Sequence, residues 1–189
     1  MEKSSKIVLA ITGASGSIYA ERMIHYLEKY ANQYESFSIV FSKNAKDVWK
    51  HELGNSEFDK LNQKTYEPND FYAPFASGSS DYNYMIICPA SMGTIGRIAN
   101  GISDDLISRS ADVMLKERKK LIIIARETPY NLIHLRNMTS LTEAGAIILP
   151  ATPSFYSKPT SIEDLVDTVI LRILQLMGIK TDTYKWGVE

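Results

Sequence analysis

Two turns of small residues carry the first chemical signal in this chain. In Ile11-Thr12-Gly13-Ala14-Ser15-Gly16-Ser17-Ile18 an apolar run passes through small residues into an amphipathic segment. Glycines let a backbone approach a ligand closely, and the N–H groups and positive dipole end of a following helix favour an anion there. The pattern points to a nucleotide or a flavin. The GxGxxG spacing is absent, and Ser42-Lys43 stands where a dinucleotide site places an acid, so a mononucleotide such as FMN fits better than NAD. The second turn, Cys88-Pro89-Ala90-Ser91-Met92-Gly93-Thr94, offers backbone amides and the Ser91 or Thr94 hydroxyl to a flavin ring edge or a phosphate. Read alone, it is a helix start with Ser91 as N-cap.

Charged and aromatic groups follow in three further runs. Ile122-Ile123-Ile124-Ala125 leads into Arg126-Glu127-Thr128-Pro129, a fixed cation beside a carboxylate. Upstream, Arg109, Asp112 and Lys116 share one helical face, which either delivers two cations to one anion or is simply solvated. The run 149–159 is stiffened by prolines, so its side chains are held at low entropic cost, and Tyr156 is either core or a hydroxyl offered to a ligand. The single cysteine, Cys88, lies inside the apolar run 84–88 and reads as a buried, unreactive thiol, so neither a disulfide nor a cysteine metal site can be built. His25, His51 and His134 are scattered, each reads as structural, and no metal site is expected.

The elements that must position these groups show in the periodicity. Apolar β-branched runs at roughly 6–12, 37–42, 83–88, 120–125 and 146–149 alternate with helical patterns, the signature of parallel strands joined by helices. The first helix places Tyr19, Met23, Tyr26, Leu27 and Tyr30 on one face. The last carries a broad stripe from Ile162 to Met177, with Thr160 and Glu163 as its expected capping box and Gly178 as its stop. Residues 54–82 read as an irregular surface excursion, and about 179–189 as a C-terminal tail. The expectation is an α/β, Rossmann-like (flavodoxin-like) open parallel sheet with helices on both faces in a single domain, its ligands beyond the carboxyl ends of the strands. With 189 residues, 44% hydrophobic, 23% charged and a net charge of -1, the composition argues against disorder and against a nucleic-acid-binding surface. No apolar run approaches the roughly 20 residues of a membrane span, and a cytoplasmic protein is expected.

Six segments carry a resemblance over nearly the whole chain. They are Thr12-Gly13-Ala14-Ser15-Gly16, Ala76-Ser77-Gly78-Ser79, Cys88-Pro89-Ala90-Ser91-Met92-Gly93-Thr94, Arg109-Ser110-Ala111-Asp112-Val113 with Leu115-Lys116-Glu117-Arg118, Arg126-Glu127-Thr128-Pro129, and Phe155-Tyr156. With them the chain resembles the flavin prenyltransferase (UbiX-like) family, within the homo-oligomeric flavin-containing decarboxylase-like group. The resemblance implies FMN as bound substrate, reactive when reduced, and dimethylallyl monophosphate as donor. The dimethylallyl group would be joined to flavin N5 and C6, and the prenylated FMN passed to a UbiD-type decarboxylase. It also implies a homododecamer, for which the aromatic-rich surface 71–75 offers an interface.

Residue by residue, the resemblance implies that Gly13, Ala14, Ser15, Ser42, Ser91, Met92, Thr94 and Arg109 contact FMN. Lys116, Arg126, Glu127, Tyr156 and Arg172 would surround the donor phosphate, some supplied by neighbouring subunits. Glu52 matches a carboxylate near the flavin, and Trp186 an aromatic lining the donor site. Expelling a phosphate needs cations and an acid, roles for Lys116, Arg126 and Arg172 and for Glu127 respectively. A carbocation-like transition state finds π surfaces in the reduced flavin and Trp186. Glu52 suits removal of the flavin C6 proton, with Ser15 beside N5. Asp104-Asp105-Leu106-Ile107-Ser108 does not complete a magnesium-binding DDxxD motif and departs from an asparagine-containing family version, so packing or capping is expected there. Two alternatives stay open: an FMN-dependent decarboxylase of a cysteine-derived substrate, which would use His51, and a non-catalytic flavin carrier.

Overall fold

The apolar β-branched runs become strands buried on both faces, as a helix-covered parallel sheet requires. In the computed structural model, which describes residues 1–182 and 187, the strands are β1 (Lys6–Ile11), β2 (Ser36–Phe41), β3 (Thr65–Tyr66), β4 (Tyr82–Ala90), β5 (Lys120–Ala125) and β6 (Ile147–Pro150). All pair in parallel, in the order β3-β2-β1-β4-β5-β6. Helices α1 (Ser17–Lys29), α2 (Ala45–Leu53) and α6 (Ile162–Met177) cover one face. The other face carries α3 (Met92–Ala99), α4 (Leu106–Lys116) and α5 (Leu132–Glu143). The alternation of strand side chains sorts the two cores. Ile7, Leu9 and Ile11 of β1 pack with Met23, Trp49 and Ile170, whereas Val8 and Ala10 pack with Ile95, Met114 and Leu141.

The expected fold class is therefore the observed one, with local corrections. The excursion 54–82 contains the two-residue edge strand β3, too short for any periodicity to reveal, and is pinned by buried Phe58, Tyr66, Phe75 and Tyr82. Strand β4 runs on to Ala90 through a cis Cys88–Pro89 bond, and its register against β5 shifts between Ile87 and Ala90. The buried stripe of α1 is Ser17, Ala20, Met23, Ile24 and Leu27, so Tyr19 and Tyr26 lie at its margin. Helix α6 is capped by Ser161, whose hydroxyl accepts from the Asp164 amide at 3.0 Å, rather than by Thr160 with Glu163. Thr160 instead donates to the Asp164 carboxylate. Gly178 does end the helix, in the left-handed region. Within 71–75 only Phe71 and Tyr72 are exposed among the aromatics, Phe75 being wholly buried. Trp186 lies outside the described residues.

The strand order places the site. The chain leaves β1 towards β2 on one side and reaches β4 on the other, so the loops after β1 and β4 part and open a crevice between their carboxyl ends. Both turns of small residues lie there.

Candidate functional site: a crevice between β1 and β4 with an acid and a cation at its edge

Thr12, almost fully buried, ties the two turns together. Its hydroxyl donates to the Pro89 carbonyl at 2.7 Å and accepts from the Ser91 amide at 3.0 Å, while its own amide meets the Pro89 carbonyl at 3.3 Å. A buried hydroxyl so saturated fixes the spacing of the two loops. Ser91 caps α3 as expected, accepting from the Thr94 amide at 3.3 Å, with Thr94 Oγ1 at 3.1 Å. The cap leaves the Met92 and Gly93 amides at the start of α3 to a ligand. The Met92 side chain is part of the core, and Thr94 is buried. Gly13 packs against Asn44, at whose Cβ a side chain on residue 13 would arrive within 3.1 Å, and Ser42 closes β2 beside it, its amide donating to Ile11 at 2.8 Å.

The N-terminus of α1 differs from the sequence expectation of free amides awaiting a phosphate. The Glu52 carboxylate, near the end of α2, accepts from the Gly16 amide at 2.9 Å and the Ser17 amide at 2.7 Å. The helix terminus does hold an anion, but one that the protein supplies. Burial alone pushes the Glu52 carboxyl up. Hydrogen bonds from the Ser15 side chain and from the Ser17 and Gly16 amides outweigh that effect and hold it below the usual carboxylate range. Ser15 itself is exposed.

Beside this turn, a cavity of about 590 Å³ is lined by Ser15, Gly16, Tyr19, Arg126, Glu127 and Tyr130, with residues 150–152. Arg126 follows β5, where its amide meets the Ala90 carbonyl at 3.2 Å. Among the described residues its guanidinium has no hydrogen-bond or ion-pair partner. Glu127 Oε1 accepts from the Thr128 amide at 2.9 Å, and the residue is exposed at the cavity wall. Tyr19 was assigned to an apolar face, yet its hydroxyl reaches towards the Ala151 carbonyl, and burial pushes its pKa up. Cys88 is wholly buried and burial pushes its thiol far up, as an inert core cysteine requires.

The remaining expected residues are not brought into this cavity within one protomer. Arg172 lies in a groove of about 680 Å³ between α6 and the loop after β6, which shares Pro150 and Thr152 with the first cavity. Tyr156 is exposed on that loop. Arg109 donates from Nε to the Ala76 carbonyl at 3.0 Å and from Nη1 to Asp112 at 3.0 Å. Lys116 ends α4, just before β5 begins, and pairs with Glu117. Arg126 follows the other end of β5, a strand roughly 20 Å long. Lys116 and Arg126 are thus at opposite ends of β5. The Asp104 and Asp105 pair is committed elsewhere: Asp105 caps α4 through the Ser108 amide at 2.7 Å, and both carboxylates meet Arg97, at 3.4 and 3.2 Å. His51 is exposed on α2.

Sequence reasoning missed a third group. Asp167 of α6 accepts from Arg22 Nε and Nη2 at 2.7 and 2.6 Å and from the Tyr26 hydroxyl at 2.7 Å, tying α6 to the helix that begins at the first turn. Its only sequence signal is an acid inside an apolar helical stripe.

Comparison with known proteins agrees with this fold. A family model described as Flavoprotein matches residues 1–174. The chain is 44% identical to the flavin prenyltransferase UbiX of Methanocaldococcus jannaschii over 185 residues, covering 96% of this chain and 98% of that protein. Among solved structures it is similar to AnUbiX (PadA1) in complex with FMN and dimethylallyl pyrophosphate, with a TM-score of 0.90 at 42% identity, over 98% of this chain and 99% of that one. It is also similar to a dodecameric FMN-dependent UbiX-like decarboxylase from Escherichia coli O157:H7, with a TM-score of 0.89 at 33% identity, over 95% and 98% of the two chains.

Proposed function

The chain belongs to the flavin prenyltransferase (UbiX) family of flavoproteins, and from that premise we propose that it joins a dimethylallyl group from dimethylallyl monophosphate to N5 and C6 of reduced FMN. The observation that carries the reading is the cavity in which the Arg126 guanidinium, without a partner among the described residues, and the Glu127 carboxyl adjoin Ser15 and the first turn. A cation alone could serve the phosphate of FMN; a reaction that expels a phosphate also needs the acid beside it.

The residues present fit FMN. Small side chains at 13–16 and at Ala90, Ser91 and Gly93 keep the crevice open, and the Met92 and Gly93 amides at the start of α3 are available as donors. Gly13, Ala14, Ser15, Ser42, Ser91, Met92 and Thr94 would hold it, with Arg109. Reduced FMN supplies the electron-rich N5 and then C6 that take up the five-carbon group.

Arg126 neutralises the phosphate as the allylic C–O bond breaks, and Glu127 holds the proton that the departing phosphate takes. Ser15, at the mouth of the first turn, orients N5. Glu52, kept ionised by the amides of α1, accepts the proton lost from C6. Tyr156 and Arg172 would complete the phosphate pocket from the groove that adjoins the cavity across Thr152.

Lys116 would enter this pocket from a neighbouring subunit, since one protomer keeps Lys116 and Arg126 at opposite ends of β5. This supports a homo-oligomer, read here as a dodecamer. Exposed Leu132, Ile133 and Leu135 on α5, next to Tyr130 at the cavity wall, are surfaces for it to bury. A monophosphate is preferred as donor because Asp104 and Asp105 are engaged by Arg97 and by the α4 cap, and so are not offered to a magnesium diphosphate. The prenylated FMN would pass to a UbiD-type decarboxylase. His51, on which a cysteine-decarboxylase reading rests, does not line the cavity.

The test is direct. The protein is mixed anaerobically with reduced FMN and dimethylallyl monophosphate, and the extracted flavin is weighed by mass spectrometry. Gain of one five-carbon unit is expected, and its absence would refute the assignment.

A further inference from the structure

The loop 76–80 is held by one cation of α4 and one of the turn that follows it. Arg109 Nε donates to the Ala76 carbonyl at 3.0 Å, and Lys119 Nζ to the Ser80 carbonyl at 2.6 Å. Between these anchors, the Ser77 and Ser79 hydroxyls face each other at 3.2 Å, both exposed or half-exposed. Lys116 is treated differently. Its ammonium makes no bond to the loop and is held by the adjacent Glu117 carboxylate. Gly78 lies directly over that pair: a Cβ there would overlap the Glu117 carboxylate and come within 2.8 Å of the Lys116 ammonium.

Glu117 is badly placed for helix stability. It is the C-cap of α4, at the negative end of the helix dipole, where a carboxylate is disfavoured and Lys116 is favoured. What it does gain is the ammonium, which holds the Glu117 carboxyl below its usual range through a hydrogen bond and charge. The pair is also open to water, with the two side chains 45% and 37% exposed, so it is a contact that a doubly charged ligand can displace.

We propose that Glu117 sets the charge selectivity of the donor-phosphate subsite, occupying the Lys116 ammonium when the subsite is empty and repelling ligands that carry more negative charge than a monophosphate. The inference rests on the reading that Lys116 serves the donor phosphate. Displaced but still tethered one residue away, the carboxylate opposes each further negative charge brought beside it, and a diphosphate meets more of that opposition than a monophosphate does. Gly78 is what lets the carboxylate lie there, since any side chain at 78 would occupy its place beside Lys116.

The experiment compares KM for dimethylallyl monophosphate and dimethylallyl diphosphate, using the assembled protein with reduced FMN. Glu117→Gln is expected to lower the diphosphate-to-monophosphate KM ratio at least fivefold, while Glu117→Asp keeps it within twofold of the parent. In the parent protein, rising ionic strength is expected to narrow the same ratio, which tests the charge effect without any substitution. A ratio unmoved both by Glu117→Gln and by salt would overturn the proposal. Failure of the parent protein to prenylate FMN with either donor would instead overturn the reading beneath it.

Discussion

Glu52 and Ser17 are joined by a 2.7 Å hydrogen bond from the amide that opens α1 to a carboxylate near the end of α2. With the 2.9 Å bond from Gly16, this makes the side chain proposed as the base also the cap of the helix that follows the first turn. Removing the carboxylate therefore has two separable effects. Glu52→Ala should lower stability by about 1 kcal/mol, the usual worth of an N-terminal cap, as measured by urea unfolding. Glu52→Gln keeps an acceptor and should unfold nearly as the parent does, yet lose roughly 10²- to 10⁴-fold in closure of the second bond to the flavin, followed by rapid-quench mass spectrometry.

The same carboxylate makes stability depend on pH. Its folded-state pKa lies below the unfolded value, so its contribution is complete above the unfolded pKa and is lost as pH falls through the folded one. The difference in Tm between the parent and Glu52→Ala should be steady near neutrality and shrink below about pH 4, the ordinary glutamate range. A difference that grows on acidification would contradict the capping role.

Arg126 is a cation without a partner among the described residues, which predicts function without stability. Arg126→Met should leave the unfolding midpoint nearly unchanged, within about 0.5 kcal/mol. It should reduce kcat/KM for dimethylallyl monophosphate by roughly 10- to 150-fold, the worth of one charged hydrogen bond. FMN binding, read by flavin fluorescence, should persist.

Glu127 separates an enzyme from a flavin carrier. Glu127→Gln should retain FMN and lower turnover about 10²- to 10⁴-fold, because the departing phosphate loses its proton source. Unaltered turnover would remove the acid assigned to this reaction.

Asp167 makes the opposite prediction from Arg126. Its bonds to Arg22 and Tyr26 are largely shielded, and Asp167→Ala strands the Arg22 charge between α1 and α6. A loss of about 3 kcal/mol in urea unfolding is expected, with Arg22→Met combined with it costing less than the sum of the two single changes.

Much of this was legible in the sequence because it is local. Residues 7–11 and 121–125 are apolar without alternation, which by itself means strands covered on both faces, and the stripe of α6 with its Gly178 stop is complete within one helix. Ser91 caps a residue three positions away, and Arg126-Glu127 follow a strand whose end is plain. Whatever depends on the order of the strands was not legible. Thr12 meets Pro89, and Glu52 meets Gly16, only because β1 lies between β2 and β4, a pairing no period of 2 or 3.6 residues records. Strand β3 has two residues and no pattern of its own. The residue types after each strand thus determined what chemistry this protein is equipped for, since backbone conformation and side-chain charge are properties of neighbours in sequence. Tertiary structure alone decided which of them meet. It gave the α1 amides to Glu52, joined the turns after β1 and β4 through Thr12, and laid Gly78 over the Lys116–Glu117 pair, because such contacts are fixed by how separate elements pack.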